Sequence, residues 1–123
     1  MKIDISIVIT CYNLGEYLND ALQSMKALKQ GNLGIEIVLV DDGSTSEKTL
    51  DAIEVLKSEF DIVIIQENMG LGKARNNGIK KSKGKYILPF DADNKLEPSF
   101  IEDAIKVLEE NQQIGAVYGN RQK

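Results

Sequence analysis

Hydrophobic and polar positions along the chain switch repeatedly between two periods. Over Ile3 to Thr10 the repeat is two, with Ile3, Ile5, Ile7 and Ile9 on one side and Val8 on the other, which predicts a largely buried strand. Leu14, Tyr17, Leu18, Ala21, Leu22, Met25 and Leu28 then fall at helical spacing and make one apolar stripe, ended by Gly31. Asn13, with Glu16 three residues on, reads as the cap of that helix. Ile35 to Val40 is nearly all apolar and predicts a second strand. A second helix is expected over Glu47 to Glu59, capped by Thr45 or Ser46, with Leu50, Ile53 and Leu56 inward. Ile62 to Ile65 is the third strand. Beyond a loop containing Gly70 and Gly72, a short helix is expected over Lys73 to Ser82, with Ala74, Gly78 and Ile79 on its inner side and Gly84 ending it. Tyr86 to Phe90 is the fourth strand, and Pro89 is expected to loosen its pairing. Pro98 opens a fourth helix with Ala104, Ile105 and Leu108 on its apolar face, and Ile114 to Tyr118 reads as a fifth strand.

Such alternation predicts an α/β fold: three layers, α/β/α, around a mostly parallel sheet with right-handed crossovers. At 123 residues the chain fits a single domain, 1–123, with one core. The composition, 42% hydrophobic and 28% charged, is too apolar for a disordered chain, and no apolar run is long enough to cross a bilayer. A net charge of −4 argues against a nucleic-acid partner. Lys73, Arg75, Lys80, Lys81, Lys83 and Lys85 do cluster; they read as a solvated face, with Lys73 and Arg75 placed where an anion would reach them. Cys11 is the only cysteine, which excludes an internal disulfide and fits a reducing compartment. The absence of histidine excludes histidine triads and histidine-bound zinc. Met1 runs almost directly into the first strand, so no signal peptide is visible and a cytoplasmic location is expected.

Candidate chemistry gathers after the strands, where open α/β sheets bind ligands. Strand one delivers Thr10-Cys11-Tyr12-Asn13, strand two Asp41-Asp42-Gly43-Ser44, and strand four Asp91-Ala92-Asp93-Asn94. If the backbone is still extended at Asp91 and Asp93, both carboxylates face one spot. Two anions so close are tolerated when solvated, when one is protonated, or when a cation lies between them. A divalent metal carrying a phosphate ligand is the leading reading; an Asp-rich turn is the plain one. Likewise Tyr12 either borders a ligand or plugs the core, and Asp41-Asp42 either contacts a ligand or makes a turn and a cap. Together, an aromatic, two acidic pairs and a basic loop on one rim suit a nucleoside diphosphate. Two other phosphate motifs fail. Gly70-Leu71-Gly72-Lys73-Ala74 lacks the upstream glycine of a Walker A loop, with Glu67 in that place, and has Ala74 where Ser or Thr would hold magnesium. A dinucleotide fingerprint would need glycine at Arg75 and would follow the first strand.

Ser6-Ile7-Val8-Ile9-Thr10-Cys11-Tyr12-Asn13, Val40-Asp41-Asp42-Gly43-Ser44-Thr45, Asn68-Met69-Gly70 with Ala74-Arg75-Asn76, and Gly84-Lys85-Tyr86-Ile87 running to Asp91-Ala92-Asp93 resemble a family-2 glycosyltransferase of GT-A, Rossmann-like fold, in order and spacing as well as in words. The resemblance implies transfer of a sugar from a nucleotide diphosphate-sugar, a UDP-sugar first among them, with inversion at the anomeric carbon. It places Thr10, Tyr12, Asn13, Asp41, Asp42, Arg75, Asp91 and Ala92 at the nucleotide-sugar, Asp42 on the base ring N–H, and Asp91 and Asp93 on Mg²⁺ or Mn²⁺. The acceptor is expected to be a saccharide or a lipid-linked acceptor, with the full enzyme at the cytoplasmic face of the membrane. Members of the family are considerably longer. The general base comes from their later half, so this chain is expected to be a truncated, donor-binding half. They also set a later strand against strand four, so that edge is expected to be covered by Ile114 to Tyr118 or by a second copy of the chain. A nucleotide-sugar binding module without turnover and a phosphoacceptor receiver domain are the alternatives. A receiver would need an acceptor aspartate after the third strand, which instead runs into Gln66-Glu67.

Overall fold

The computed structural model describes residues 3–29, 31, 33–94, 103 and 106. Strand β1 (Ile5–Cys11) is followed by α1 (Gly15–Lys29), β2 (Ile35–Asp42), α2 (Glu47–Leu56) with a 3₁₀ turn at Lys57–Glu59, β3 (Ile62–Gln66), α3 (Leu71–Lys81) and β4 (Tyr86–Asp91). The strands lie in the order β3-β2-β1-β4, and each pairing is parallel. This order reverses direction between β1 and β4. A receiver-type sheet has β1 between β2 and β3 instead, so topology removes that alternative. The expected fourth helix and fifth strand, and whatever covers the outer side of β4, lie outside the described residues.

Strand periodicity sets the layers. Ile5, Ile7, Ile9 and Cys11 of β1, Ile35, Ile37 and Leu39 of β2, and Tyr86, Leu88 and Phe90 of β4 join Leu18, Leu22 and Met25 of α1 and Ile53 and Leu56 of α2 in one core. The alternate positions Val8, Val38 and Val40 meet Ala74 of α3 on the opposite face. Each large aliphatic side chain so buried contributes about 1.5–3 kcal/mol. β1 and β2, covered on both faces, are buried at every position, which is why their sequences read as nearly continuous apolar runs.

Glycines let the helices come close. A Cβ on Gly78 would lie 2.4 Å from Val8 Cγ1 and 2.9 Å from Val40 Cγ2, so α3 rests almost on the sheet. Gly15 sits against Thr49, whose hydroxyl accepts the Gly15 N–H at 2.9 Å. These two contacts revise the helix faces. The inner line of α2 runs Thr49, Ile53, Leu56, leaving Leu50 45% exposed. That of α3 is the narrow line Ala74–Gly78, leaving Ile79 38% exposed. β4 stays in register with β1 through the Val8–Pro89 pair up to Thr10–Asp91, so Pro89 does not loosen it. At the amino end of the sheet the buried Glu36 accepts hydrogen bonds from the Ser6 hydroxyl (2.7 Å) and the Lys83 N–H (2.8 Å). The Ser6 hydroxyl in turn accepts the Gly84 N–H at 2.8 Å.

Candidate functional site

The chain runs outward from β1 to β3 and then crosses back to place β4 on the other side of β1; where an open α/β sheet reverses in this way, ligands bind beyond the carboxyl ends of the strands. Here that place lies between β1 and β4, and the residues at their ends touch. The Thr10 hydroxyl donates to Asp91 Oδ1 at 3.1 Å, and the Ala92 N–H donates to the Thr10 carbonyl at 3.1 Å. Thr10, Asp42 and Asp91 occupy the strand positions of the α3 face, and α3 brings Arg75 to the same place, with Nη2 3.9 Å from Asp91 Oδ1. Arg75 Nε is buried with no hydrogen-bond partner among the described residues.

The two acids of Asp91-Ala92-Asp93 do not lie on one extended strand. β4 ends at Asp91, and the chain then turns, closed by the Asn94 N–H on the Asp91 carbonyl at 2.9 Å. The expectation of two carboxylates on one side of a strand is therefore corrected: Asp93 sits in the turn and is exposed. Among the described residues no three cysteine or acidic side chains cluster as a metal cage. One or two carboxylates beside a diphosphate fit Mg²⁺ or Mn²⁺, ions that draw their other ligands from phosphate and water.

Asp41 and Asp42 point to opposite faces of β2. Asp41 is buried and accepts both the N–H and the hydroxyl of Ser44, so it builds the turn that follows. Beside it the Cys11 thiol is pushed up to about 11, mainly by burial, with the charge of Asp41 adding to it; the thiol is inert at neutral pH. Asp42 is only 1% exposed. Its Oδ1 accepts from Gln66 Nε2 (2.9 Å) and the Met69 N–H (2.8 Å), and its Oδ2 from the Gly70 N–H (3.0 Å). Burial alone would raise this carboxyl, but the bonds from Met69, Gln66 and Gly70 outweigh it and hold the pKa below its ordinary 3.8. The carboxylate therefore stabilises the fold fully above about that value, and the contribution is lost as pH falls through the lower, folded-state pKa. Asp42→Asn should flatten the decline of melting temperature with acidification below pH 3.8, a change that thermal melts across that range would show.

Asn13 does not cap α1, which begins at Gly15. It adopts φ 55°, and its side-chain oxygen accepts the N–H groups of Thr45 (2.9 Å) and Ser46 (3.0 Å) ahead of α2, while its own N–H donates to Ser44 Oγ at 2.9 Å. Neither Thr45 nor Ser46 caps α2 with its own side chain: at the N-cap, Ser46 makes no such bond. Asn13 thus clasps the two loops beyond β1 and β2, and leaves the adjoining Tyr12 38% exposed rather than plugging the core. Asn and Asp tolerate this left-handed backbone, and both offer the oxygen. Asn13→Asp should stay within about 0.5 kcal/mol in urea unfolding, while Asn13→Ala, losing bonds and backbone preference together, should cost about 2 kcal/mol. Equal losses would deny the clasp.

Sequence reasoning missed Gln66 and Asn77, whose side chains complete the surroundings of Asp42, and Thr49. The available signal was a polar residue where the pattern calls for an apolar one: Gln66 ending an aliphatic strand, Thr49 on the inner line of α2.

An all-parallel sheet in the order β3-β2-β1-β4, reversing between β1 and β4, is a Rossmann-like α/β arrangement, the class to which GT-A folds belong. The chain belongs to glycosyl transferase family 2, whose sequence model matches residues 6–123. It is 33% identical over 118 residues to the poly-beta-1,6-N-acetyl-D-glucosamine synthase of Staphylococcus aureus strain COL, covering 94% of this chain and 28% of that protein. Crystal structures of S. aureus TarS share 28% identity; one in complex with UDP superposes with a TM-score of 0.71 over 89% of this chain and 33% of that one, and another holds UDP-GlcNAc. At 19% identity the mannosyltransferase PcManGT from Pyrobaculum calidifontis, in complex with GDP-Man and Mn²⁺, shares the fold, with a TM-score of 0.74 over 88% of this chain and 33% of that one. The chain thus spans about a third of the length of these proteins, or less.

Proposed function

We propose that this chain is the donor-binding part of a glycosyltransferase that moves a sugar from a nucleotide diphosphate-sugar to a saccharide or lipid-linked acceptor, with inversion and with help from a divalent cation. The observation that carries the reading is the group formed by Thr10, Asp91 and Arg75 at the strand reversal, with Asp93 in the turn beyond. In an inverting transfer an acceptor hydroxyl attacks the anomeric carbon as the bond to the diphosphate breaks, and the nucleoside diphosphate leaves with the electron pair. Bound by Asp91 and Asp93, Mg²⁺ or Mn²⁺ would supply Lewis-acid stabilisation of that leaving charge. Thr10 and Arg75 orient Asp91 from two sides. Tyr12 presents an exposed ring against which a base can stack, worth on the order of 1–3 kcal/mol at comparable sites. No residue of this chain is assigned as general base, which belongs to the part of the enzyme that binds the acceptor. The UDP and UDP-GlcNAc complexes of TarS support a uridine donor. Cytoplasmic location and pairing of two copies belong to the same proposal. Calorimetry with UDP, GDP, CDP and ADP in the presence of Mn²⁺ tests it: binding of at least one is expected, and failure of all four would overturn it. Slow hydrolysis of a bound nucleotide-sugar would distinguish a catalyst from a binding module without turnover.

A further inference from the structure

We infer that Gln66 and Asn77 are positioning residues for the base end of the donor site, acting through Asp42 and the Met69–Gly70 turn; the inference rests on the donor-binding reading above. An ionised carboxylate only accepts hydrogen bonds, so the side chain facing Asp42 Oδ1 must offer a donor. Gln66 does, with its amide nitrogen at 2.9 Å. That choice turns the amide oxygen of Gln66 the other way, where it needs a donor of its own. Asn77 Nδ2, on α3, supplies it at 2.7 Å. One charge on β2 thus fixes the direction of two amides on two further elements, β3 and α3.

The relay decides what Asp42 has left to give. Oδ1 receives two donors and Oδ2 one, so a single acceptor position remains on Oδ2. The Met69 and Gly70 N–H groups are both drawn toward the carboxylate. Gly70, at φ 96° with nothing within 4 Å of where a Cβ would stand, is needed for that backbone shape rather than for space. The turn so held adjoins the loop after β2, because a Cβ on Gly43 would come 2.5 Å from the Asn68 N–H nitrogen. That loop is bound through Ser44 to Asn13, the neighbour of Tyr12. The rim from Tyr12 round to Met69 is therefore one hydrogen-bonded arc, and Gln66 and Asn77 brace it from behind. The diphosphate end, at Asp91 and Asp93, lies beyond β4 and is not part of the arc.

The test compares a whole nucleotide with a ligand that has no base. Binding of UDP, GDP and inorganic pyrophosphate, each with Mn²⁺, is measured by calorimetry on the intact protein and on two variants. Gln66→Met keeps the length of the side chain and removes both polar ends. Asn77→Asp keeps the shape and sets an acceptor against the oxygen of Gln66. Each should weaken the tighter-binding nucleotide about tenfold and pyrophosphate by less than about twofold. The double variant should be no weaker than the worse single one, because both break the same relay. Parallel losses for nucleotide and pyrophosphate, or unchanged nucleotide binding in both variants, would overturn the inference while leaving the donor reading intact. A wild-type protein that binds none of UDP, GDP, CDP and ADP with Mn²⁺ overturns both.

Discussion

Asp93→Asn is expected to weaken nucleoside diphosphate binding about 100-fold in the presence of Mn²⁺, about 2.8 kcal/mol. Asp91 is already turned toward Thr10 and Arg75, whereas Asp93 is exposed in the turn and can move toward an incoming cation at little cost in packing. Without the cation, two carboxylates and a diphosphate would share one small space, and their mutual repulsion would oppose binding. A chelator should therefore weaken the wild-type protein about as much as the substitution does, and weaken the variant little further. The melting temperature without ligand should hardly move, because an exposed turn residue leaves no cavity and no buried orphan. Unchanged affinity in the variant, with metal present, would take Asp93 out of the site.

The second large effect is expected at Gly78, and its sign is informative. In an open helix position Gly→Ala stabilises by about 1 kcal/mol through helix propensity. At Gly78 the added methyl would meet Val8 and Val40, both fully buried and already packed, so Gly78→Ala should destabilise instead. Gly78→Leu should cost about 3 kcal/mol or more, as overpacking that only a lifted helix can relieve. That corresponds to a fall of about 10 °C or more in melting temperature. Because Arg75 rides on the same helix, a variant that still folds should also bind nucleotide more weakly. Stabilisation by alanine would show that α3 does not rest on the sheet through this residue.

The sheet was the most legible part of the chain. Full burial on both faces forces β1 and β2 to be apolar throughout, and that pattern has no other economical explanation. The odd and even positions of β1 fell on the faces expected of them. Helix faces were less legible. Periodicity marks a stripe, but the line of closest approach is chosen by small residues on it, Gly15 against Thr49 and Gly78 against Val8, and this displaced Leu50 and Ile79 outward. The roles of polar side chains were least legible. Asn13 has the residue type of a helix cap, and it serves the loop before α2 because that loop lies across from it in space. Asp41 and Asp42 are adjacent in sequence, yet strand alternation sends one into a turn and the other into a relay with residues more than twenty positions away.

The two polar anchors on β2 bear on how this chain can vary. Glu36 holds the backbone just after α3, and Asp42 holds it just before. Both side chains stand on the same face of one strand, about 20 Å apart along it. α3 is pinned at both ends to a ruler of fixed length. Inserting or deleting one residue within it would rotate Arg75 by about 100° relative to the sheet, with no slack at either end to absorb the change. The connection around Gly31 is tied by Lys29 to Asp61 (2.8 Å) and by the Gly34 N–H to Asp4 (2.7 Å), both at the amino end of the sheet, so a change of length there would leave the rim in place. Among variants of this fold, length differences should therefore collect before β2 and avoid the segment from Met69 to Gly84.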